Sequence, residues 1–268
     1  MFHVELLTRF RAIALLLLAS VLLLGCSRGS KTKELVVGMD LSYPPFETID
    51  ASGKPMGVSV ELARALADYL HEPLRIENMP FVGLIPALQN GSIDCVISSM
   101  TDTPARREAI SFSEPYLTIG LALLVNARSG ITTLADIDQP GKTVVVRLGT
   151  TGEVWAREHI KSATVRSMDK ENTAVLEVIQ GKADAFIYDQ MSVWQNAKNN
   201  ATTIRAILDP LKKEEWAVGI RKGNTELQTQ INAFLKQYRE QGGFEQLGDR
   251  FLPEQKREFQ EKKIPFYF

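Results

Sequence analysis

The feature that most restricts this chain is a pattern that occurs twice. The stretch "ALQNGSIDCVISS" carries Gly91, Asp94 and Ser99, and "VIQGKADAFIYD" carries Gly181, Asp184 and Asp189 at the same spacing. In each copy the glycine suits a helix end, and the apolar run after it suits a buried strand ending on a polar residue. One helix-to-strand unit in each half of the chain predicts two related lobes, with Ser99 and Asp189 at equivalent strand ends.

The flanking segments agree. The first half reads "LVVGMD", "VSVELARALADYL", "GLIPALQNG", "IDCVISS", and the second "KTVVVRLGT", "GEVWAREHI", "NTAVLEVIQG", "ADAFIYD". Strand-like runs alternating with helix-like ones predict an α/β fold with a largely parallel sheet in each lobe. Ligands of open α/β sheets bind beyond the carboxyl ends of the strands, so two facing lobes imply a small-molecule cleft between them. The run "GLALLVN" (120–126) reads as a crossing out of the first lobe and "WAVGIRKGN" (216–224) as the return. Two extended crossings form a hinge, which puts lobe 1 at 34–122 with 220–268 and lobe 2 at 123–219. The stretch "ELQTQINAFLKQYREQGGFEQL" reads as an amphipathic helix packing back on lobe 1. A single large α/β domain without closure remains the alternative at this level.

Ahead of the lobes, Arg9 and Arg11 precede the apolar run "AIALLLLASVLLLG". That run is short for a membrane span and suits the core of an export signal, taken as residues 1–25. Cys26, in "LLGCS", stands where a lipoprotein box places its lipidated cysteine, and 26–33 read as a tether; Leu24 is bulky for such a box, so a plain signal peptide is the other reading. The expected location is the periplasm or extracytoplasmic face, anchored through Cys26. Cys95 then stands alone, and no disulfide, zinc site or redox pair is expected. His3 falls in the leader and His71 and His159 near helix ends, so neither a catalytic dyad, a metal nor a cofactor is expected. With 24% charged residues and a net charge of -1, the chain offers nothing basic enough for nucleic acid.

The polar residues between the lobes are more specific. Thr103 before Pro104 is a helix start, with Arg106 in the first turn. A cation is disfavoured there by the helix dipole, so Arg106 asks for an anion, and its fork suits a carboxylate. Pairing with Glu108 or with solvent is the plainer alternative. Thr150 and Glu153 in "GTTGE" fit a capping box that turns a second set of helix N–H groups toward the strand ends. Asp189 is the natural partner for a cation, and Asp40 ends the first strand. Tyr43, Phe46 and Phe81 supply aromatic faces near these positions, although each fits ordinary core equally well, and Phe46 fits it better. A carboxylate site, an ammonium site, apolar walls and a polar far end together describe an amino acid.

Five motifs, "VGMDLSYPPFE", "FVGLIPALQNGSIDCVISSMTDTPARREAISFSEPY", "GKTVVVRLGTTGE", "IQGKADAFIYD" and "WAVGIRKGN", in this order, resemble the bacterial extracytoplasmic solute-binding proteins of family 3, which deliver polar amino acids to ATP-driven importers. The likeness runs from Glu34 to about Leu252. It implies a two-lobed periplasmic-binding-protein fold of type II, a monomer, and a membrane permease as partner. It also implies roles. Arg106 would clasp the ligand α-carboxylate with the Thr101 and Thr151 main-chain N–H groups. Asp189 would take the α-ammonium with the Ser99 carbonyl and the Thr101 hydroxyl; Met100 belongs to the same segment. Tyr43 and Phe81 would wall the aliphatic part, and Asp40 would read the far end.

One position departs from the relatives that take basic amino acids: their "Gly-Phe-Asp" is Gly57, Val58, Ser59 here, one negative charge fewer. Arg147 stands where a cation can donate to a ligand side-chain oxygen, unless it points to solvent or pairs with Glu153. Asp40 accepting and Arg147 donating would suit an amide, which puts glutamine first, then arginine or glutamate. Some relatives are enzymes that dehydrate a cyclohexadienyl acid; they carry a glutamate where this chain has Ser192, so no catalysis is expected. A sensor domain is a third reading, and no motif supplies its signalling module.

Overall fold

Ten strands and ten α-helices make up the computed structural model, which describes residues 33–264 and 266. The leader and Cys26 lie outside the described residues. The strands are β1 (Leu35–Met39), β2 (Thr48–Ile49), β3 (Pro55–Met56), β4 (Leu74–Asn78), β5 (Cys95–Val96), β6 (Ile110–Asn126), β7 (Thr143–Arg147), β8 (Thr164–Met168), β9 (Ala185–Asp189) and β10 (Ile204–Arg221). The helices are α1 (Val58–Leu70), α2 (Leu84–Asn90), α3 (Pro104–Ala109), α4 (Leu134–Ile137), α5 (Thr151–His159), α6 (Glu171–Ile179), α7 (Gln190–Asn199), α8 (Thr225–Glu240), α9 (Gly243–Phe251) and α10 (Pro253–Glu261).

Eight strands form one sheet in the order β4-β1-β5-β10-β6-β9-β7-β8, and β2 pairs with β3 in a separate ribbon. On one side β1 lies parallel to β4 and β5; on the other β7 lies parallel to β8 and β9. The two flanks are therefore the same three-strand unit, and the antiparallel pair β6 and β10 joins them. The repeated aspartate shows why the sequence repeats. Asp94 gives its N–H to the Val36 carbonyl at 2.8 Å and accepts the Val36 N–H on its carboxylate at 2.9 Å. Asp184 does the same with Thr143, at 2.8 Å in both bonds. Each aspartate pins the start of the strand after a glycine turn to the start of the flank's central strand. Gly91 (φ 80°) and Gly181 (φ 69°) supply the left-handed turns that L side chains avoid.

Three expectations are revised. The apolar run to Ser99 stops being a strand at Val96, and Ser99 itself has φ 49°, which turns the chain out of the sheet. The crossings are longer than 120–126 and 216–224, because β6 and β10 pair with each other from Ile110 and Arg221 to Asn126 and Ile204 and so serve both flanks. The amphipathic stretch after β10 is two helices. Gln241 caps α8, Gly242, at φ 73°, is the N-cap of α9, and a Cβ on Gly243 would sit 2.5 Å from the Tyr238 ring. On α8 the buried residues Leu227, Ile231, Phe234 and Leu235 hold the one-sided spacing that packs a helix on a sheet.

Candidate functional site

The carboxyl ends of both flanks face one cleft. Asp40 follows β1 and leads into the loop that carries Tyr43, while Arg147 and Asp189 are the last residues of β7 and β9. Phe81 opens a short 3-10 turn after β4, and Arg106 lies on α3. Asp40, Tyr43, Phe81, Ser99, Thr101, Arg106, Arg147, Thr151 and Asp189 all line it. Met100 does not: its side chain is fully buried in the core with Leu88 and Phe112, and its carbonyl is bound by the Ala217 N–H. After the left-handed turn at Ser99, Met100 packs inward while its neighbours Ser99 and Thr101 line the cleft.

Three side chains, those of Tyr43, Arg106 and Arg147, reach across between the flanks. Tyr43 Oη donates to Asp189 Oδ1 at 2.6 Å. Arg106 donates from Nη1 to the Thr101 carbonyl at 2.7 Å and from Nη2 to the Gly149 carbonyl at 3.1 Å. Arg147 forms an ion pair with Asp40, with side chains only 4% and 13% exposed, and donates to Tyr188 Oη at 3.0 Å. Arg147 therefore neither points to solvent nor pairs with Glu153, which binds Arg157 instead. Both cations lie over the Phe81 ring, with the Arg106 and Arg147 guanidinium carbons 5.4 and 5.7 Å from its centroid.

Asp189 caps α7. Its Oδ1 accepts the Met191 and Ser192 N–H groups at 2.9 and 3.0 Å besides the tyrosine, and no described residue donates to Oδ2. Burial raises its pKa to about 6, and those three donors hold it from going higher. Burial also pulls the Arg106 pKa down, against the opposing field of Glu214. For Arg147 the same burial is outweighed by Tyr188 and Asp40, so its pKa is raised.

The expected capping box at the start of α5 is replaced by another arrangement. Thr150 Oγ1 donates to the Arg147 carbonyl at 2.7 Å instead of capping, and Glu153 reaches back to the Gly149 N–H at 2.7 Å. The loop is held from both sides, and Thr151 opens the helix, where the first N–H groups have no intrahelical partner.

Two acidic residues in the cleft escaped the sequence reading. Glu47, from the "PPFE" turn, is buried, and its carboxyl accepts the hydroxyls of Ser59 at 2.6 Å, Ser99 at 3.0 Å and Ser98 at 3.2 Å. Burial pushes it up to about 8, with the serines opposing. Ser59 thus donates to a buried carboxyl that, with its pKa at about 8, stays largely protonated at neutral pH and does not restore the charge absent at that position. Glu214 is buried on β10 and accepts the Thr101 and Thr151 hydroxyls. Its pKa is raised by burial. No motif marks Glu214, which sits in the charged run "KKEE"; Glu47 stands in a motif but with no partner near it in sequence. Outside the cleft lining, half-buried Glu171 is pushed up to about 7, mainly by desolvation of its carboxyl, and takes the Ser192 hydroxyl.

Residues 35–254 match the family model described as bacterial extracellular solute-binding proteins, family 3. Among characterised relatives, the L-cystine-binding protein TcyJ of Escherichia coli (strain K12) is 30% identical over 83% of this chain and 85% of its own length. An ancestral arginine-binding protein, solved bound to glutamine, superposes with a TM-score of 0.76 at 32% identity, over 82% of this chain and 98% of that one. An ancestral amino-acid-binding protein described as a precursor of cyclohexadienyl dehydratase gives 0.75 at 34%, over 81% and 94%. No helix among the described residues is long and apolar enough to cross a membrane. The repeated flanks, the cleft at their strand ends and these likenesses agree: the chain belongs to the bacterial extracellular solute-binding proteins of family 3.

Proposed function

We propose that this protein is the ligand-binding component of an ABC importer and that it holds a polar L-amino acid, glutamine first, by closing its lobes. The observation that carries the reading is two charged groups around Phe81 in one cleft: Arg106, which lines it together with Asp189, and the ion pair of Arg147 with Asp40. Arg106 takes the α-carboxylate and Asp189 Oδ2 the α-ammonium. At the far end an amide gives its carbonyl to Arg147 and its NH2 to Asp40, so neither buried charge loses a partner. Arginine would satisfy Asp40 and strand Arg147, glutamate the reverse, and an uncompensated buried charge is costly.

Cystine is the second reading. Its far end carries a second ammonium and carboxylate, which match Asp40 and Arg147 together, and a 30% identical relative bears that ligand's name. A ligand that touches both flanks favours the closed arrangement, because only there is its polar shell complete. The lobes part along β6 and β10, at 34–122 with 220–268 and 123–219, and the permease receives the closed monomer. Export and lipidation at Cys26 complete the proposal on sequence grounds. Catalysis is not part of it, since Ser192 offers no acid and Glu171 lies outside the cleft lining.

A thermal-shift series on the chain from Ser27, with the twenty L-amino acids, cystine, prephenate and arogenate, tests the reading, because a ligand of the folded state raises its stability. The largest shift with glutamine supports the first form and with cystine the second. Arginine or glutamate alone would keep amino-acid binding and overturn the far-end argument. A shift with prephenate or arogenate only would overturn the reading in favour of the enzyme.

A further inference from the structure

Glu214 lies between the flanks at the end where the amino-acid head is placed. Its Oε2 accepts Thr101 Oγ1, from the β5 flank, at 3.0 Å and Thr151 Oγ1, from the β7 flank, at 2.8 Å. The residue is 4% exposed, and its Oε1 is buried with no hydrogen-bond partner among the described residues. Glu214, Thr101, Thr151 and Arg106 share the cleft lining.

A hydroxyl has one proton to give and lone pairs to offer. With both protons committed to Glu214, Thr101 and Thr151 turn only lone pairs toward the cleft, so there they accept and do not donate. An acceptor at Thr101 fits an ammonium. The donors for the carboxylate are then the guanidinium and the main-chain N–H groups, which cannot reverse their polarity. A serine or threonine free to rotate would present either face, and the two ends of a zwitterionic head would be less well distinguished.

We propose that Glu214 is a positioning residue for specificity: by holding the Thr101 and Thr151 hydroxyls as acceptors, it fixes which end of the head is ammonium. The inference rests on the amino-acid reading of the cleft. Glu214→Gln is nearly isosteric, but its amide can donate as well as accept, which releases the hydroxyls.

The test is a double-mutant cycle by isothermal titration on the full mature chain, using the amino acid with the largest thermal shift. Glu214→Gln is expected to weaken binding roughly 10-fold in the wild-type background and at most about 3-fold in a Thr101→Val background, because the hydroxyl placed against the ammonium is gone and only that of Thr151 is left for Glu214 to hold. Equal losses in the two backgrounds, or no loss in the first, would overturn the inference, since an effect that does not pass through the Thr101 hydroxyl is additive with its removal. If Glu214→Gln fails to unfold cooperatively, Glu214→Asp, which shortens the reach to both hydroxyls, carries the same cycle. Absence of binding by the wild type to any amino acid would instead count against the amino-acid reading.

Discussion

The Tyr43 hydroxyl and the Asp189 carboxylate meet across the cleft at 2.6 Å, although 146 residues separate them in sequence. The contact joins the loop after β1 to the end of β9. It engages Oδ1, which already receives two N–H groups at the start of α7, so Oδ2 is the oxygen to which no described residue donates and the one the proposed ligand would meet.

Asp189→Asn and Arg106→Ala are each expected to weaken amino-acid binding by more than about 100-fold, since each removes the charge proposed to face one end of the head. Tyr43→Phe should cost about 10-fold, one charge-assisted hydrogen bond. Isothermal titration checks all three, with circular dichroism to confirm that the fold is retained. Undiminished binding by either charge variant would contradict the site.

Arg147→Ala is expected to change which ligand is preferred. It leaves Asp40 buried without its cation, so arginine should gain on glutamine, and the ligand-free protein should lose about 3 kcal/mol of stability. A competition titration reads the first effect and urea unfolding the second. Ligand preference unchanged from wild type would show that the far end of the ligand does not reach this pair.

Stability should fall as pH rises from about 4 to about 8, and the sign follows from Glu47. Its carboxyl titrates near 4.3 in an unfolded chain and at about 8 in the fold. Between those values the folded protein holds the extra proton, so its contribution is complete at low pH and is lost as pH passes through about 8. Asp189 at about 6 and Glu171 at about 7 act in the same direction. Glu47→Gln should therefore flatten the decline by its own share, most visibly from pH 6 to 8. Unfolding curves at several pH values measure it; a slope equal to wild type would mean that Glu47 is ionised in the fold.

Asp94→Ala and Asp184→Ala should destabilise by similar amounts, about 2 kcal/mol each, because each leaves a strand-starting N–H without its carboxylate. Asp184 also holds Lys142, at 3.0 Å and partly exposed, which adds little. A threefold disparity in the two losses, read by chemical denaturation, would argue against equivalent roles.

Much of this arrangement was legible in the chain itself. The Gly-Asp-polar spacing marked two equivalent flanks, because a glycine turn and a pinned strand start are local devices that each copy must repeat. Asp40, Arg106 and Asp189 were readable for the same reason: they stand at strand ends or in a helix's first turn, where local structure fixes the direction of the side chain. What the sequence could not determine is what these groups face. The Arg147 and Asp40 pair joins residues 107 apart, and nothing near either one names the other. Glu47 and Glu214 look like surface charges in their own segments. They become buried acids only when Ser59, Ser98 and Ser99, or Thr101 and Thr151, are folded around them. A local pattern sets where a side chain points, but the burial and partners that set its charge come from elements brought together by the sheet.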